Sequence, residues 1–178
     1  MKTRQLAIAL LMILCASLQV SGDEWKSLFD GKTLNGWEGD EKLWSVQDGT
    51  ITGVTKDDEP LPYNKFLIAT GLGVVGDFHF KTSFRLEGNN NSGVQYRSAQ
   101  LKDAGEFVVG GYQADIHANP PYTAMLYDER GRGILAQRGQ KVVVAKDGKV
   151  TVVEQQKDVA AVDLSEWHTL EVIAVGAK

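Results

Sequence analysis

Two Asp-Gly pairs limit this chain more than any other feature. Asp48-Gly49 stands between Leu43-Trp44-Ser45-Val46-Gln47 and Thr50-Ile51-Thr52-Gly53-Val54. Asp147-Gly148 stands between Val142-Val143-Val144 and Val150-Thr151-Val152-Val153. Such a pair takes up the positive φ angles of a tight turn, so each marks an antiparallel hairpin. After residue 23 helical periodicity is absent, and apolar residues recur at every second position. From Phe78 to Leu86 the residues Phe78, Phe80, Phe84 and Leu86 fall on one face, with His79, Lys81, Ser83 and Arg85 on the other. Gly88 to Gly93 reads as a turn cluster; Val94–Arg97, Tyr112–His117 and Trp167–Val175 read as further strands. With 19 glycines and only 4 prolines, many short strands joined by tight turns are expected. The fold class expected is all-β: an antiparallel sandwich or jelly roll. Trp25, Trp37, Trp44 and Trp167 are expected in its core, one of them a candidate stacking platform for a ligand.

The first 22 residues read as a signal peptide. Lys2 and Arg4 form a basic start, Leu6 to Leu14 is an unbroken apolar run, and Val20-Ser21-Gly22 supplies small residues for cleavage before Asp23. At about 1.5 Å per residue that run falls well short of a hydrocarbon core of roughly 30 Å, so no stable membrane anchor is expected. A buried N-terminal helix fits less well, as does lipoprotein cleavage at Cys15 behind the bulky Leu14. The chain is therefore expected to be exported, to the periplasm or outside the cell, with residues 23–178 forming one domain. Cys15 is the only cysteine, so the mature chain would have no disulfide, zinc-thiolate site or cysteine nucleophile. Taking the two basic residues of the leader from 19 leaves 17 against 23 acidic, a formal charge of −6. Without a Lys/Arg run, such a domain is a poor partner for nucleic acid or anionic lipid. Gly176 reads as the start of a turn with nothing after it, so a C-terminally truncated sandwich is expected.

The residues for chemistry lie on two strands. In Val94-Gln95-Tyr96-Arg97, Gln95 and Arg97 share a face; in Tyr112 to His117, Gln113, Asp115 and His117 share one. If these strands pair, five planar or ionisable groups suited to sugar hydroxyls lie side by side, and His79, Lys81 and Arg85 are candidates to extend the face. A solvated sheet face fits the pattern about equally well. Asp115 is the natural acid or base, but Gln113 and His117 stand where a sandwich glycanase would carry further carboxylates, which argues against a two-carboxylate mechanism on this strand. Tyr127-Asp128-Glu129-Arg130-Gly131-Arg132-Gly133 reads as a charged loop, where Asp128 or Glu129 is a candidate second carboxylate. His117 with Asp115 is a candidate site for a divalent ion, although the three histidines lack tight metal-ligand spacing.

Trp25-Lys26-Ser27-Leu28-Phe29-Asp30-Gly31-Lys32-Thr33-Leu34-Asn35-Gly36-Trp37 resembles the opening signature of the 3-keto-disaccharide hydrolase family. Asn91 to Arg97, Gly111 to Ile116 and Tyr127 to Gly133 resemble the family in the same order, as does Ile134 to Gly139. The resemblance implies a concanavalin-like jelly roll and a sugar substrate with a ketone at C3. That ketone acidifies the C2 proton, so a base can remove it, the C1 aglycone leaves, and water adds to the glucal-type intermediate. For that chemistry the candidates are Asp115 or His117 as base, His117 lying just outside the resembling segment, and Arg97 as an enolate or hydroxyl contact. Gln95, Gln113 and Tyr127 would orient the sugar, Arg130 and Arg132 would bind it, and Glu129 would be acid or metal ligand. A divalent metal is a possible cofactor. A non-catalytic carbohydrate-binding module and a conventional glycoside hydrolase are the competing readings.

Overall fold

A computed structural model describes residues 9–11, 17–19 and 25–176. In chain order the strands are β1 (Ala9–Leu11), β2 (Ser17–Gln19), β3 (Trp25–Ser27), β4 (Trp37–Glu38), β5 (Trp44–Gln47), β6 (Thr50–Val54), β7 (Ile68–Ala69) and β8 (Phe78–Phe84). Then come β9 (Asn91–Gln100), β10 (Val109–His117), β11 (Leu126–Glu129), β12 (Gly133–Ala136), β13 (Gln140–Val144), β14 (Val150–Gln155) and β15 (His168–Ala174). A single 3₁₀ turn at Lys102–Ala104 is the only helical element among the described residues, and none is long and apolar enough to cross a membrane. Every strand pairing is antiparallel. The fold is all-β as expected, in keeping with a jelly roll. The expected leader lies outside the described residues apart from the backbone of β1 and β2, which pairs with β6 and with β3 and β8.

The chain divides into two compact units. The first runs to Gly88 and resumes at Ser165, and carries sheets in the orders β1-β6-β5, β15-β8-β2-β3 and β4-β7. Its Asp48-Gly49 turn has φ of 49° and 74°, the two left-handed residues a tight hairpin needs. The alternation read in Phe78–Phe84 is realised. Phe78, Phe80, Thr82 and Phe84 are buried, and β15 sets Ala174, Val172 and Leu170 across from the first three. Burying each such large side chain stabilises by about 1.5–3 kcal/mol.

On the other face of β8, Glu171 bonds His79 Nε2 at 3.0 Å and Lys81 Nζ at 2.9 Å. His79 and Lys81 lie on β8, and Arg85 just after it; β8 hydrogen-bonds in the sheet β15-β8-β2-β3 and not beside β9 and β10 as expected. The tryptophans also depart from expectation. Trp25 is 43% exposed, edge-on to His79, and Trp167 is 41% exposed beneath the Arg85 guanidinium. Trp37 and Trp44 are half-buried, and Trp37 Nε1 donates to the Leu28 carbonyl at 3.0 Å.

The second unit, Asn89–Leu164, holds the sheet β12-β11-β10-β9 and the hairpin β13-β14. The Asp147-Gly148 hairpin forms as read, with Gly148 at φ 85°. The turn cluster is shorter than expected: Asn91, Ser92 and Gly93 already belong to β9, where they pair with His117, Ile116 and Asp115.

Candidate active site

β9 and β10 pair as the polar-face reading requires. Gln113 lies opposite Gln95, Asp115 opposite Gly93 and His117 opposite Asn91. On the other side β11 sets Tyr127 opposite Gln113 and Glu129 opposite Gly111. Residues directly opposite share a face, so Gln95, Gln113, Asp115, His117, Tyr127 and Glu129 stand together. Tyr127 to Gly133 is not the loop expected. Leu126–Glu129 is a strand and only Arg130-Gly131-Arg132 turns, so the period-2 rule buries Glu129 to 9% exposure while Asp128 takes the opposite face.

Arg97 does not follow the alternation. Its φ is 47°, and the register shifts there, with Tyr96 opposite Tyr112 but Ala99 opposite Gly110. Two residues of β9, Arg97 and Ser98, thus face one residue of β10, Gly111: a β-bulge. Gly111 has φ 140°, and a Cβ built on it would lie 2.6 Å from Ser98 Oγ. Ser98 therefore occupies the position on the polar face that strict alternation assigns to Arg97. Neither Ser98 nor the bulge is visible in a pattern of alternating residues.

Asp115 is 2% exposed. Its backbone N–H donates to the Met125 carbonyl at 3.0 Å, and its own carbonyl accepts from Ala124 N–H at 2.8 Å. The Gln113 amide NH₂ donates to Asp115 Oδ1. Gln95 Nε2 donates to Gln113 Oε1 at 3.1 Å, and Ser98 Oγ donates to Gln95 Oε1 at 2.8 Å. Gly93 makes room for this arrangement: a Cβ there would lie 2.6 Å from Gln113 Cγ and 2.9 Å from the Ala114 carbonyl oxygen. Asp115 Oδ2 is buried and has no hydrogen-bond partner among the described residues. An orphaned buried acceptor of this kind costs about 1–3 kcal/mol.

Burial pushes the Asp115 carboxyl up to about 6; the Gln113 hydrogen bond and the nearby His117 oppose the shift, and the Glu129 charge adds to it. A carboxyl at that position is roughly nine-tenths ionised at pH 7 and readily takes a proton there. His117 is committed differently. Asn119 N–H donates to its Nδ1 at 2.9 Å, so in the neutral ring the proton sits on Nε2, which then presents a donor. Its carbonyl accepts from Thr123 Oγ1 at 2.5 Å, and Tyr122 packs edge-on against its ring.

The arginines separate. Arg130, in the turn with φ 60°, approaches Glu129 at 3.8 Å. Arg132 joins the opposite face, where it bonds Asp128 Oδ2 at 2.6 Å and the Tyr112 hydroxyl at 3.1 Å. The residues present do not fit a divalent ion at Asp115. Its Oδ1 faces an NH₂ donor, His117 Nδ1 is engaged, and no three His, Cys, Asp or Glu side chains gather as ligands among the described residues.

Glu129 lies opposite Gly111, four residues along β10 from Asp115, and its charge acts on the Asp115 carboxyl.

No curated protein matches the chain. The family model described as the 3-keto-alpha-glucoside-1,2-lyase-like domain matches residues 24–178, which takes in all of the second unit, the first from residue 24, and every strand of the Asp115 sheet. With nearly its whole length matched, the chain belongs to the 3-keto-alpha-glucoside-1,2-lyase-like domain family.

Proposed function

We propose that the chain cleaves 3-keto-glycosides by elimination and hydration, with Asp115 as the base. The observation that carries this reading is the Asp115 carboxylate, which burial brings to about 6, with Oδ1 bonded and Oδ2 unpartnered. Glycoside cleavage at a 3-keto sugar needs one base strong enough to take an activated C–H proton near neutral pH, and no second carboxylate as nucleophile. In the first step Asp115 Oδ2 takes the C2 proton, electrons move onto O3, and the C1–O bond breaks. The departing alcohol receives a proton, leaving a 2-hydroxyglucal that keeps the 3-ketone. Water then adds across C1 and C2 and yields the free 3-keto sugar, so the two steps sum to hydrolysis.

His117 Nε2–H is the donor assigned to the oxygen that becomes negative at C3, and Arg97, displaced by the bulge, has no role in this reading. Tyr127 and Gln95 orient the ring, and Glu129 is the candidate acid for the leaving oxygen. Arg132 has no role in this reading, since it lies across the sheet from Asp115. Because Oδ2 is buried, sugar binding must displace a side chain over it. The half-buried side chains of that face include His117 and Tyr127. We further propose that the chain acts after export, with residues 1–22 removed.

The test is incubation of the full chain with 3-keto-trehalose or another 3-keto-glucoside, followed by mass spectrometry. Loss of the glycoside with transient appearance of the glucal-type product is expected, slowed when C2 carries deuterium. Equal turnover of unoxidised glucosides, without that intermediate, would establish a conventional glycoside hydrolase instead.

A further inference from the structure

The polarity of the amide chain beside Asp115 follows from its inner end. An ionised carboxylate only accepts hydrogen bonds, so Gln113 must turn its NH₂ towards Oδ1 and its carbonyl towards β9. Gln95 must then present its NH₂ to Gln113 and its carbonyl outward. Each amide passes the requirement one residue on, and the outer end must be a donor. Ser98 is placed as that donor: its single hydroxyl proton is shared between Gln95 Oε1 and the Tyr96 carbonyl, each 2.8 Å away. The bulge at Arg97 and the bare Cα of Gly111 place it there.

We propose that Ser98 is a positioning residue for the reaction. Through Gln95 and Gln113 it holds Asp115 Oδ1 as an acceptor and so assigns proton uptake to Oδ2. This inference rests on Asp115 acting as the base. Aligned hydrogen bonds polarise one another, so the donor at the outer end strengthens the bond at the inner end and favours the ionised carboxylate. Other groups act on the same carboxyl: His117 from its own strand favours the charge, and Glu129 from β11, beside Arg130, opposes it. From β9 the facing groups are the uncharged Gly93 and Gln95, from the residue before β11 Met125, and opposite Gln113 the hydroxyl of Tyr127.

The isosteric pair Ser98→Thr and Ser98→Val separates the hydroxyl from the bulk of the side chain. The full chain, carrying carbon-13 in its aspartate carboxyl groups, is titrated by NMR. The valine variant is expected to raise the Asp115 midpoint by about 0.3–1 pH unit, and the threonine variant to titrate as the parent does. The acid limb of kcat/KM on a 3-keto-glucoside should move with it in the valine variant. Equal midpoints in the two variants would overturn the relay. Gln95→Leu cuts the middle link and is expected to raise the midpoint at least as far; no rise would overturn the relay equally. The titration needs no substrate. A chain inactive on 3-keto-glucosides that still shows the Thr–Val difference would refute the reaction and keep the relay. An active chain with identical titrations would refute only the relay.

Discussion

Asp115→Asn is expected to stabilise the protein at neutral pH while removing its activity. Burial lifts the Asp115 carboxyl from 3.8 to about 6, so the folded chain holds a proton that the unfolded chain has already released. A carboxyl raised in this way contributes stability below about pH 4 and loses it as pH rises through about 6. A shift of about two units is worth roughly 2–3 kcal/mol. Asparagine keeps an oxygen for the Gln113 donor and carries no charge at any pH. The difference in unfolding free energy, parent minus variant, should therefore fall by roughly 2–3 kcal/mol between pH 3.5 and pH 7.5. Urea unfolding of both chains at several pH values measures it. Turnover of a 3-keto-glucoside should drop about 10²–10⁴-fold in the same variant. A free-energy difference that stays level across this range, or rises with pH, would refute the reasoning: the carboxyl would then be either unshifted or stabilised in its charged form.

Three further outcomes follow from the same geometry. Gly93→Ala places a Cβ 2.6 Å from Gln113 Cγ, so Gln113 must swing away from Asp115; we expect about 2–4 kcal/mol less stability by urea unfolding and a higher Asp115 midpoint by NMR. His117→Asn keeps an acceptor for the Asn119 N–H; the acid limb of kcat/KM should persist and move slightly upward, whereas its disappearance would make His117 the base. Ile51→Ala, at a site 1% exposed, should cost about 2–5 kcal/mol on thermal or urea unfolding without moving the pH profile.

What could be read in the residues was what depends on local period. The Asp-Gly hairpins and the alternation of Phe78, Phe80 and Phe84 follow from backbone geometry within a few residues, and they appear as expected. The grouping of Gln95, Gln113 and Asp115 was legible for the same reason, once two strands paired. Other features depend on partners distant in the chain. Nothing in His79 or Lys81 announces that β8 joins β15 instead of β9. The glycines and charges of Tyr127 to Gly133 read as a loop because a strand that buries a glutamate breaks the usual composition of strands. Trp25 and Trp167 are large and apolar, yet both stay exposed beside polar neighbours, His79 and Arg85, which size alone does not reveal. Counting in twos puts Arg97 on the polar face, and one extra residue in β9 defeats that count.

That extra residue makes strand length a control on acidity. Loss of Ser98 with Arg97 retained would restore even counting along β9 and bring a guanidinium to the outer end of the amide chain. A permanent cation would then replace a neutral hydroxyl, drawing the distant carboxyl towards its ionised form and towards a weaker base. Insertions and deletions are usually weighed by whether a loop can absorb them. Here a change of one residue within a strand would retune an ionisable group three side chains away and leave every residue that touches it in place.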